Sequence, residues 1–120
     1  MLTCINLAEK LGRFNDHWHP RIIADLNDHQ VKLAKVQGEF VWHSHADEDE
    51  MFLVIQGELV IELRDGSVTL GPGEMVVIPK GIEHRPVARE EVQLMLLEPR
   101  ATRHTGDVET EFTRHQLERI

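Results

Sequence analysis

The feature that most constrains this chain is a succession of short β-like runs separated by explicit turn signals. The runs are rich in apolar and β-branched residues and occupy positions 31–37, 40–45, 51–56, 58–63, 74–79 and 92–99. Between them, Gly57, the Asp65-Gly66 pair and the Gly-Pro-Gly sequence at 71–73 favour tight turns. Short strands at close spacing are typical of an all-β sandwich or barrel. We therefore predict an all-β fold.

The regions that flank these runs have a different character. Residues 6–12 fit a short N-terminal helix, because Leu7 and Leu11 are four positions apart and Gly12 follows as a stop. Residues 15–28 look irregular, and the polar stretch after Pro99 is weakly patterned. We expect a single domain over residues 1–120 with its core at 31–99. The N-terminal segment 1–30 and the C-terminal tail 100–120 are expected to pack on that core or to be partly mobile.

Composition excludes several classes of partner. The formal net charge of −8 disfavours nucleic acid, since phosphate binding needs clustered Lys and Arg, and it also disfavours anionic membrane surfaces.

Cys4 is the single cysteine and cannot form an intramolecular disulfide. The N-terminus lacks the pattern of a signal peptide, and no apolar run is long enough to span a bilayer. We expect a cytoplasmic protein.

The run at 51–56 is apolar on both of its faces. Met51, Leu53 and Ile55 alternate with Phe52 and Val54, whereas a strand with one wet face would alternate with polar residues. A chain of this length has little of its own to cover a second face. We therefore predict a homodimer.

Four residues have the chemistry of a metal site. His43 and His45 are two apart, so on an extended segment both side chains project from one face. Glu50 begins the next run, and His84 follows another run. If they converge inside a barrel, three imidazoles and one carboxylate suit Fe(II), Mn(II), Ni(II), Zn(II) or Co(II). The alternative is that the segment is an exposed acidic loop that happens to contain histidine. On either interpretation, Asp47, Glu48 and Asp49 are expected to be loop residues exposed to solvent. The remaining histidines are interpreted as surface or capping residues: His17, His19, His29, His104 and His115.

Two motifs in the chain resemble those of the cupin superfamily. In the sequence HSHADEDEMFLVIQG, four residues separate His45 from Glu50 and six residues separate Glu50 from Gly57. The sequence GEMVVIPKGIEH has Gly73, then Pro-x-Gly at 79–81, then His84. With the adjoining strands, the resemblance covers residues 38–88. It implies a cupin double-stranded β-helix, or jelly-roll barrel, with His43, His45, Glu50 and His84 as metal ligands.

The chain departs from the family pattern at two positions that supply no ligand. Four residues rather than five separate Gly38 from His43, and Ala88 stands where an Asn usually closes the second motif. The chain is most similar to the small single-domain cupins labelled mannose-6-phosphate-isomerase-like. That label describes the barrel more than the substrate, and the phosphate-binding basic cluster of the isomerases is not apparent. Arg85 is beside His84, but its side chain should point the other way.

Three functions are compatible with such a site. The first is a metal-dependent enzyme for a small organic substrate, of the isomerase, cyclase or dioxygenase type. The second is a non-catalytic small-molecule binder or sensor, and the third is a structural metal site. The enzyme is preferred over a sensor, because a sensor is usually joined to a DNA-binding or signalling domain and this sequence shows no helix-turn-helix segment. It is preferred over a structural site, because the ligand set of the family usually leaves coordination positions open.

Strand parity also predicts the wall of the pocket. If Glu50 points inward, Phe52, Val54 and Gln56 do so too, giving an apolar wall with one amide. The chain has no tyrosine, and the pattern indicates no second carboxylate inside. Proton transfer is therefore expected to fall to metal-bound water or to Glu50, which becomes the candidate catalytic residue.

Overall fold

The chain folds into antiparallel β-structure with a short helix near its N-terminus. The computed structural model describes residues 2–100, 102–106, 108, 110, 113 and 116–120. Its elements are α1 (Leu7–Leu11), β1 (Arg21–Leu26), β2 (His29–Glu39), β3 (Glu50–Gln56), β4 (Leu59–Leu63), β5 (Gly66–Leu70), β6 (Met75–Ile78) and β7 (His84–Pro99). The predicted all-β fold and its N-terminal helix are confirmed.

Strand β7 organises the sheet. The main strand order is β1-β2-β7-β3-β6, while β4 pairs with both β5 and β7. The first residues of β7 pair with β4, and its C-terminal half pairs with β3. Its pairing with β2 includes a bulge, since Val36 pairs with Val92 but Gly38 pairs with Ala88. Such a bulge bends a strand and lets one long strand serve both halves of a roll.

Inward-facing side chains of these strands form the main hydrophobic core. Its strand residues are almost completely buried and include Ala34, Val36, Phe52, Val54, Leu59, Ile61, Val92, Leu94 and Leu96. Trp18 and Phe40 stack on each other beside them, with ring centroids 4.6 Å apart. Each large apolar side chain buried in this way contributes about 1.5–3 kcal/mol to folding. Most of the driving force for the roll therefore lies in this cluster.

A second, smaller cluster lies on the other face of β2. Leu11 and Phe14 pack there with Leu33, and Leu7 and Met95 add partly buried surface. The spacing of Leu7 and Leu11 accordingly serves to cover the sheet. Asn6 caps α1 by accepting a hydrogen bond from the Glu9 N–H at 2.9 Å.

Several strands differ from those predicted, and β2 extends through Gly38 to Glu39. Residues 15–28 contain β1 and not only the irregular structure expected, and β1 reaches β2 through a tight turn at Asn27 with φ of 53°. Residues 40–45 form no continuous strand and contribute an isolated bridge between His43 and His84. Strand β7 begins at His84 rather than at 92, because the exposed charged residues of its bulge hide the pattern.

Parts of the C-terminal tail pack on the barrel. Arg119 forms a parallel bridge with Ile22, and the Ile120 N–H donates to the Ile22 carbonyl at 3.0 Å. Thr105 is completely buried. The prediction made for His115 lies outside the described residues. Across the part of the chain that the structure describes, no helix is both long and apolar enough to cross a membrane.

Candidate metal centre

Backbone pairing brings the two halves of the site together. The His43 N–H donates to the His84 carbonyl at 3.1 Å, and the His84 N–H donates to the His43 carbonyl at 2.9 Å. The Gly81 N–H donates to the His45 carbonyl at 2.8 Å. Glu50, the first residue of β3, pairs with Ile78 of β6. Sheet register, and not only loop conformation, therefore sets the positions of all four predicted ligands.

The four side chains converge inside the roll. One nitrogen or oxygen atom from each of His43, His45, Glu50 and His84 lies within 4.8 Å of the other three. Glu50 Oε1 is 3.3 Å from His45 Nε2 and 3.4 Å from His84 Nε2. Ligand atoms bound to one ion at about 2.1 Å are roughly 3.0–3.4 Å apart in octahedral or tetrahedral geometry. The arrangement therefore has the dimensions of a metal centre.

Hydrogen bonds orient two of the imidazoles. His43 Nδ1 donates to the Val41 carbonyl at 2.9 Å, and His84 Nδ1 donates to the Ile82 carbonyl at 2.9 Å. A carbonyl oxygen only accepts, so each Nδ1 carries a proton, and the neutral form of each ring presents the lone pair of Nε2. This is the tautomer in which Nε2 can bind a metal.

The chemistry of the buried atoms fits a bound cation. His43 Nε2, His84 Nε2 and Glu50 Oε1 are buried and have no hydrogen-bond partner among the described residues. Buried acceptors of this kind are costly unless a donor or a cation satisfies them. Three imidazole nitrogens and one carboxylate oxygen match a divalent transition metal. The cluster can therefore hold a metal ion.

Burial also sets the charge of the ligands. Desolvation lowers the pKa of His43 to about 4, and the neighbouring His84 adds to that effect. For Glu50, burial alone would raise the pKa, but contacts with His45, His84 and Glu98 outweigh burial and hold it well below its usual range. At neutral pH the site thus presents a neutral His43 and an ionised Glu50, which are the forms that bind metals.

Comparison with known proteins agrees with this geometry. Residues 30–100 match the family model described as a cupin domain. The chain belongs to the cupin family. Among solved structures, this cupin is similar to a cupin-2 domain containing protein from Shewanella frigidimarina, with a TM-score of 0.79. The two are 58% identical over 80% of this chain and 94% of that chain.

Two further relatives have narrower or more distant similarity. Protein NMB1881 from Neisseria meningitidis has a TM-score of 0.75 and 34% identity, over 81% of this cupin and 99% of that chain. The uncharacterized protein YdbB of Bacillus subtilis is 45% identical over 64 residues, which are 52% of this chain. The match spans 57% of YdbB. The expected fold, a cupin double-stranded β-helix, is confirmed by the family match and the structural similarity.

A small apolar cavity adjoins the metal cluster of this cupin. Its volume is about 40 Å³. It is lined mainly by aromatic, aliphatic and proline side chains, together with two histidines and a glutamate: Trp18, Pro20, Ala34, Val36, Phe40, His43, Glu50, Phe52, Pro86, Leu94, Leu96 and His104. His104 belongs to the C-terminal tail, so the tail contributes to the wall beside the metal cluster.

The predicted pocket wall is present only in part. Phe52 lines the cavity and lies near His84, with ring centroids 6.4 Å apart. Val54 is completely buried in the core, but it is not among the residues that line the cavity. The prediction for Gln56 is wrong, because this side chain is exposed at the end of β3. A bulge between Val54 and Gln56 breaks the alternation on which the prediction depended.

The interpretation of His104 as a surface or capping residue is wrong, because it is buried and lines the cavity. His17, His19, His29 and Arg85 lie away from the cluster. His17 pairs with Glu91 at 2.8 Å and His19 with Asp16 at 3.1 Å, while His29 is exposed. Arg85 points away from the cavity, as expected. It contacts Glu62 at 2.6 Å and packs over the ring of Trp42.

Sequence reasoning missed a second carboxylate inside the barrel. Glu98 is completely buried and pairs with Lys32, whose Nζ is 2.6 Å from Glu98 Oε1. Burial and the nearby charge of Glu50 raise the pKa of Glu98 well above its usual range, although Lys32 opposes the shift. A signal existed in the sequence, since Glu98 follows the inward-facing Leu94 and Leu96 at the same parity.

Proposed function

We propose that this cupin is a metal-dependent enzyme that acts on a small organic molecule, with chemistry of the isomerase, cyclase or dioxygenase type. The observation that carries this proposal is the set of unsatisfied acceptors on His43, His84 and Glu50, located beside an apolar cavity. A divalent metal held by His43, His45, Glu50 and His84 would supply Lewis-acid polarisation of a substrate oxygen or, as Fe(II), a site for O2.

The residues around the centre have separable tasks in this proposal. Phe52 and Phe40 exclude water and favour an apolar part of the substrate. Glu50 is both a ligand and a candidate proton acceptor. His104 is a second polar group at the cavity wall, so the site does not depend on Glu50 alone for proton transfer.

A non-catalytic binder or sensor is the second candidate. It is favoured by the size of the cavity, about 40 Å³, because sites for organic ligands usually enclose about 300–1,000 Å³. On this alternative, a very small ligand is held without turnover. On the enzyme proposal, the wall at the C-terminal tail opens to admit the substrate.

Metal analysis of protein purified without added metal tests the centre. We expect about one divalent metal per chain in the wild type and at least a tenfold lower content in His45→Ala, since one ligand and its geometry are lost. His29→Ala, which changes an exposed histidine outside the cluster, is the matched control and should retain the wild-type content.

The metal identity then separates the classes of function. Iron together with substrate-dependent O2 uptake supports a dioxygenase. Zinc, nickel, cobalt or manganese without O2 uptake supports isomerase, cyclase or binding roles. Saturable ligand binding without product formation supports the binder, and a metal-free wild type that also fails to take up added metal contradicts the proposal.

We further propose that residues 1–120 form one cupin domain that works as a cytoplasmic homodimer without nucleic-acid or membrane partners. Support for the dimer comes from the outer face of β3 and β6. Met75 and Val77 are each 51% exposed, and Val77 pairs with Met51 of β3. An apolar strip of this kind at a sheet edge is commonly covered by a second subunit.

A further inference from the structure

We propose that the buried Lys32–Glu98 ion pair is a positioning device for Glu50, so that two residues outside the ligand set control how tightly the centre holds its metal. This inference rests on the metal centre proposed above. It concerns the affinity of that centre and does not require that the protein be an enzyme.

The pair is enclosed as completely as the ligands themselves. Lys32 and Glu98 side chains are 1% and 0% exposed, and their charged atoms are 2.6 Å apart. The desolvation free energy of two buried charges often exceeds the attraction between them. A gain in folding stability is therefore a poor explanation for the presence of the pair. The location of the pair within the barrel therefore calls for a role at the neighbouring site.

Glu98 connects the pair to the metal cluster. Strands β3 and β7 are paired antiparallel along this stretch with Met51 opposite Leu97, so the register brings Glu50 beside Glu98. Both side chains are almost completely buried, at the same parity as the core residues of their strands. Lys32 arrives from the other side of β7, on β2. A chain of polar groups thus runs from Lys32 through Glu98 to Glu50.

The arrangement has a specific electrostatic consequence. A second carboxylate beside Glu50 would repel it, but the ammonium group of Lys32 compensates the charge of Glu98. The side chain of Glu98 can then pack beside that of Glu50 and favour the rotamer that turns Oε1 toward His45 and His84, without adding net charge. Partners that orient a metal-binding carboxylate typically change metal affinity by about 10–100-fold.

Two uncharged double variants separate this role from a structural one. Lys32→Met/Glu98→Leu removes the charges and the contact with Glu50, while Lys32→Met/Glu98→Gln removes the charges but keeps an amide that can donate to Glu50. Because neither variant leaves a lone buried charge, we expect both to fold. Leu33→Ala is the matched control, since Leu33 is equally buried on the same strand but faces the other hydrophobic cluster.

The measurement is Co(II) and Zn(II) affinity by competition with a chromophoric chelator, with the Co(II) absorption spectrum as a report on coordination geometry. We expect the Leu variant to bind about 10–100-fold more weakly with an altered spectrum, and the Gln variant to recover most of that loss. Leu33→Ala should lower the melting temperature of the metal-free protein and leave affinity and spectrum unchanged. Affinity in the Leu variant equal to that of the wild type would overturn the inference.

The inference and the metal centre can fail separately. If the wild type binds metal and His45→Ala does not, the centre stands, and the two double variants alone decide the role of the pair. If the wild type binds neither Co(II) nor Zn(II), both the centre and the inference are contradicted. Should the Leu variant fail to fold, Lys32→Met/Glu98→Ala takes its place, because it also removes both charges and the side chain beside Glu50. Wild-type affinity in that protein, with no spectral change, contradicts the positioning role.

Discussion

His43 combines the burial of a core residue with the chemistry of a ligand, and this combination makes the metal-free protein sensitive to acid. Its ordinary pKa of 6.5 is lowered to about 4, first by burial and then by His84. Between these values the unfolded chain binds a proton that the folded chain does not, so stability falls as the pH falls. The contribution is complete above pH 6.5 and is lost by about pH 4, with a total of about 3 kcal/mol.

Urea denaturation of metal-free protein at several pH values between 4 and 7 tests this prediction. His43→Gln keeps a side-chain amide that can donate to the Val41 carbonyl but cannot titrate, so its stability should vary less with pH than that of the wild type. His29→Gln should keep the wild-type dependence, because His29 is exposed. Identical pH dependence in wild type and His43→Gln would count against the explanation.

At the scale of residues, motif spacing predicted which four side chains meet, and the structure brings them together. Spacing succeeds here because strand register converts it directly into position. Motif spacing carries no information on Glu98 and Lys32, because neither belongs to a motif. The signal for Glu98 is its parity with Leu94 and Leu96. Recognising the pair requires knowing that β2 and β7 are neighbours. Gln56 was placed wrongly for the opposite reason, because a bulge reverses parity without any mark in the sequence.

At the scale of elements, the turn signals located the hairpins well, whereas the boundaries of β1 and β7 were not evident. Strand β1 has a half-exposed pattern and begins directly after Pro20, so it lacks the alternation of a typical strand. Strand β7 is interrupted by the exposed run at 89–91. Pairing with β2 maintains both strands, and that pairing is a tertiary property.

The C-terminal tail lies very close to the metal-ligand segment at Gly106, which approaches Ser44 and His43. Gly106 has φ of 61°, and a Cβ at this position would lie 2.2 Å from the Ser44 carbonyl oxygen and 3.1 Å from His43 Cδ2. No side chain fits there without movement. We therefore expect Gly106→Ala to displace the segment that carries His104 and to speed the transfer of bound Zn(II) to excess chelator by at least severalfold.

Gly73→Ala is the matched control for this prediction. Gly73 also has a positive φ, 79°, but a Cβ there meets nothing within 4 Å. Both variants should lose about 1–2 kcal/mol from backbone strain, measured by urea denaturation. Faster metal release in Gly106→Ala alone indicates that the tail closes the site, and equal release rates in the two variants argue that it does not.

At the scale of the whole molecule, the exposed apolar strip formed by β3 and β6 predicts self-association. Met75 and Val77 lie on an edge strand, and their register partners Leu53 and Met51 are only partly buried. Covering such a strip with a second subunit stabilises the dimer by roughly 25 cal/mol of free energy for each Å² of apolar surface removed from water. We expect a solution mass of about twice 13.8 kDa for the wild type and 13.8 kDa for Val77→Lys, measured by light scattering across a concentration series.

Val68→Lys is the control for the dimer. Val68 is 38% exposed on β5, which pairs with β4 alone among the described strands. Introducing the same charge there should leave the wild-type mass unchanged. A monomeric wild type at all concentrations would show that the strip is not a dimer interface.

The curl of β7 has a consequence for how the site comes into being. His84 is the first residue of this strand and Glu98 is near its end. His84 nevertheless contacts Glu50, and strand register places Glu98 beside the same residue. Fourteen residues of straight strand would hold the two ends roughly 46 Å apart. The four ligands can therefore come together only after the strand has bent around the barrel. A metal bound there would link distant parts of the chain, so metal binding during refolding would report that the whole barrel, and not one loop, has formed.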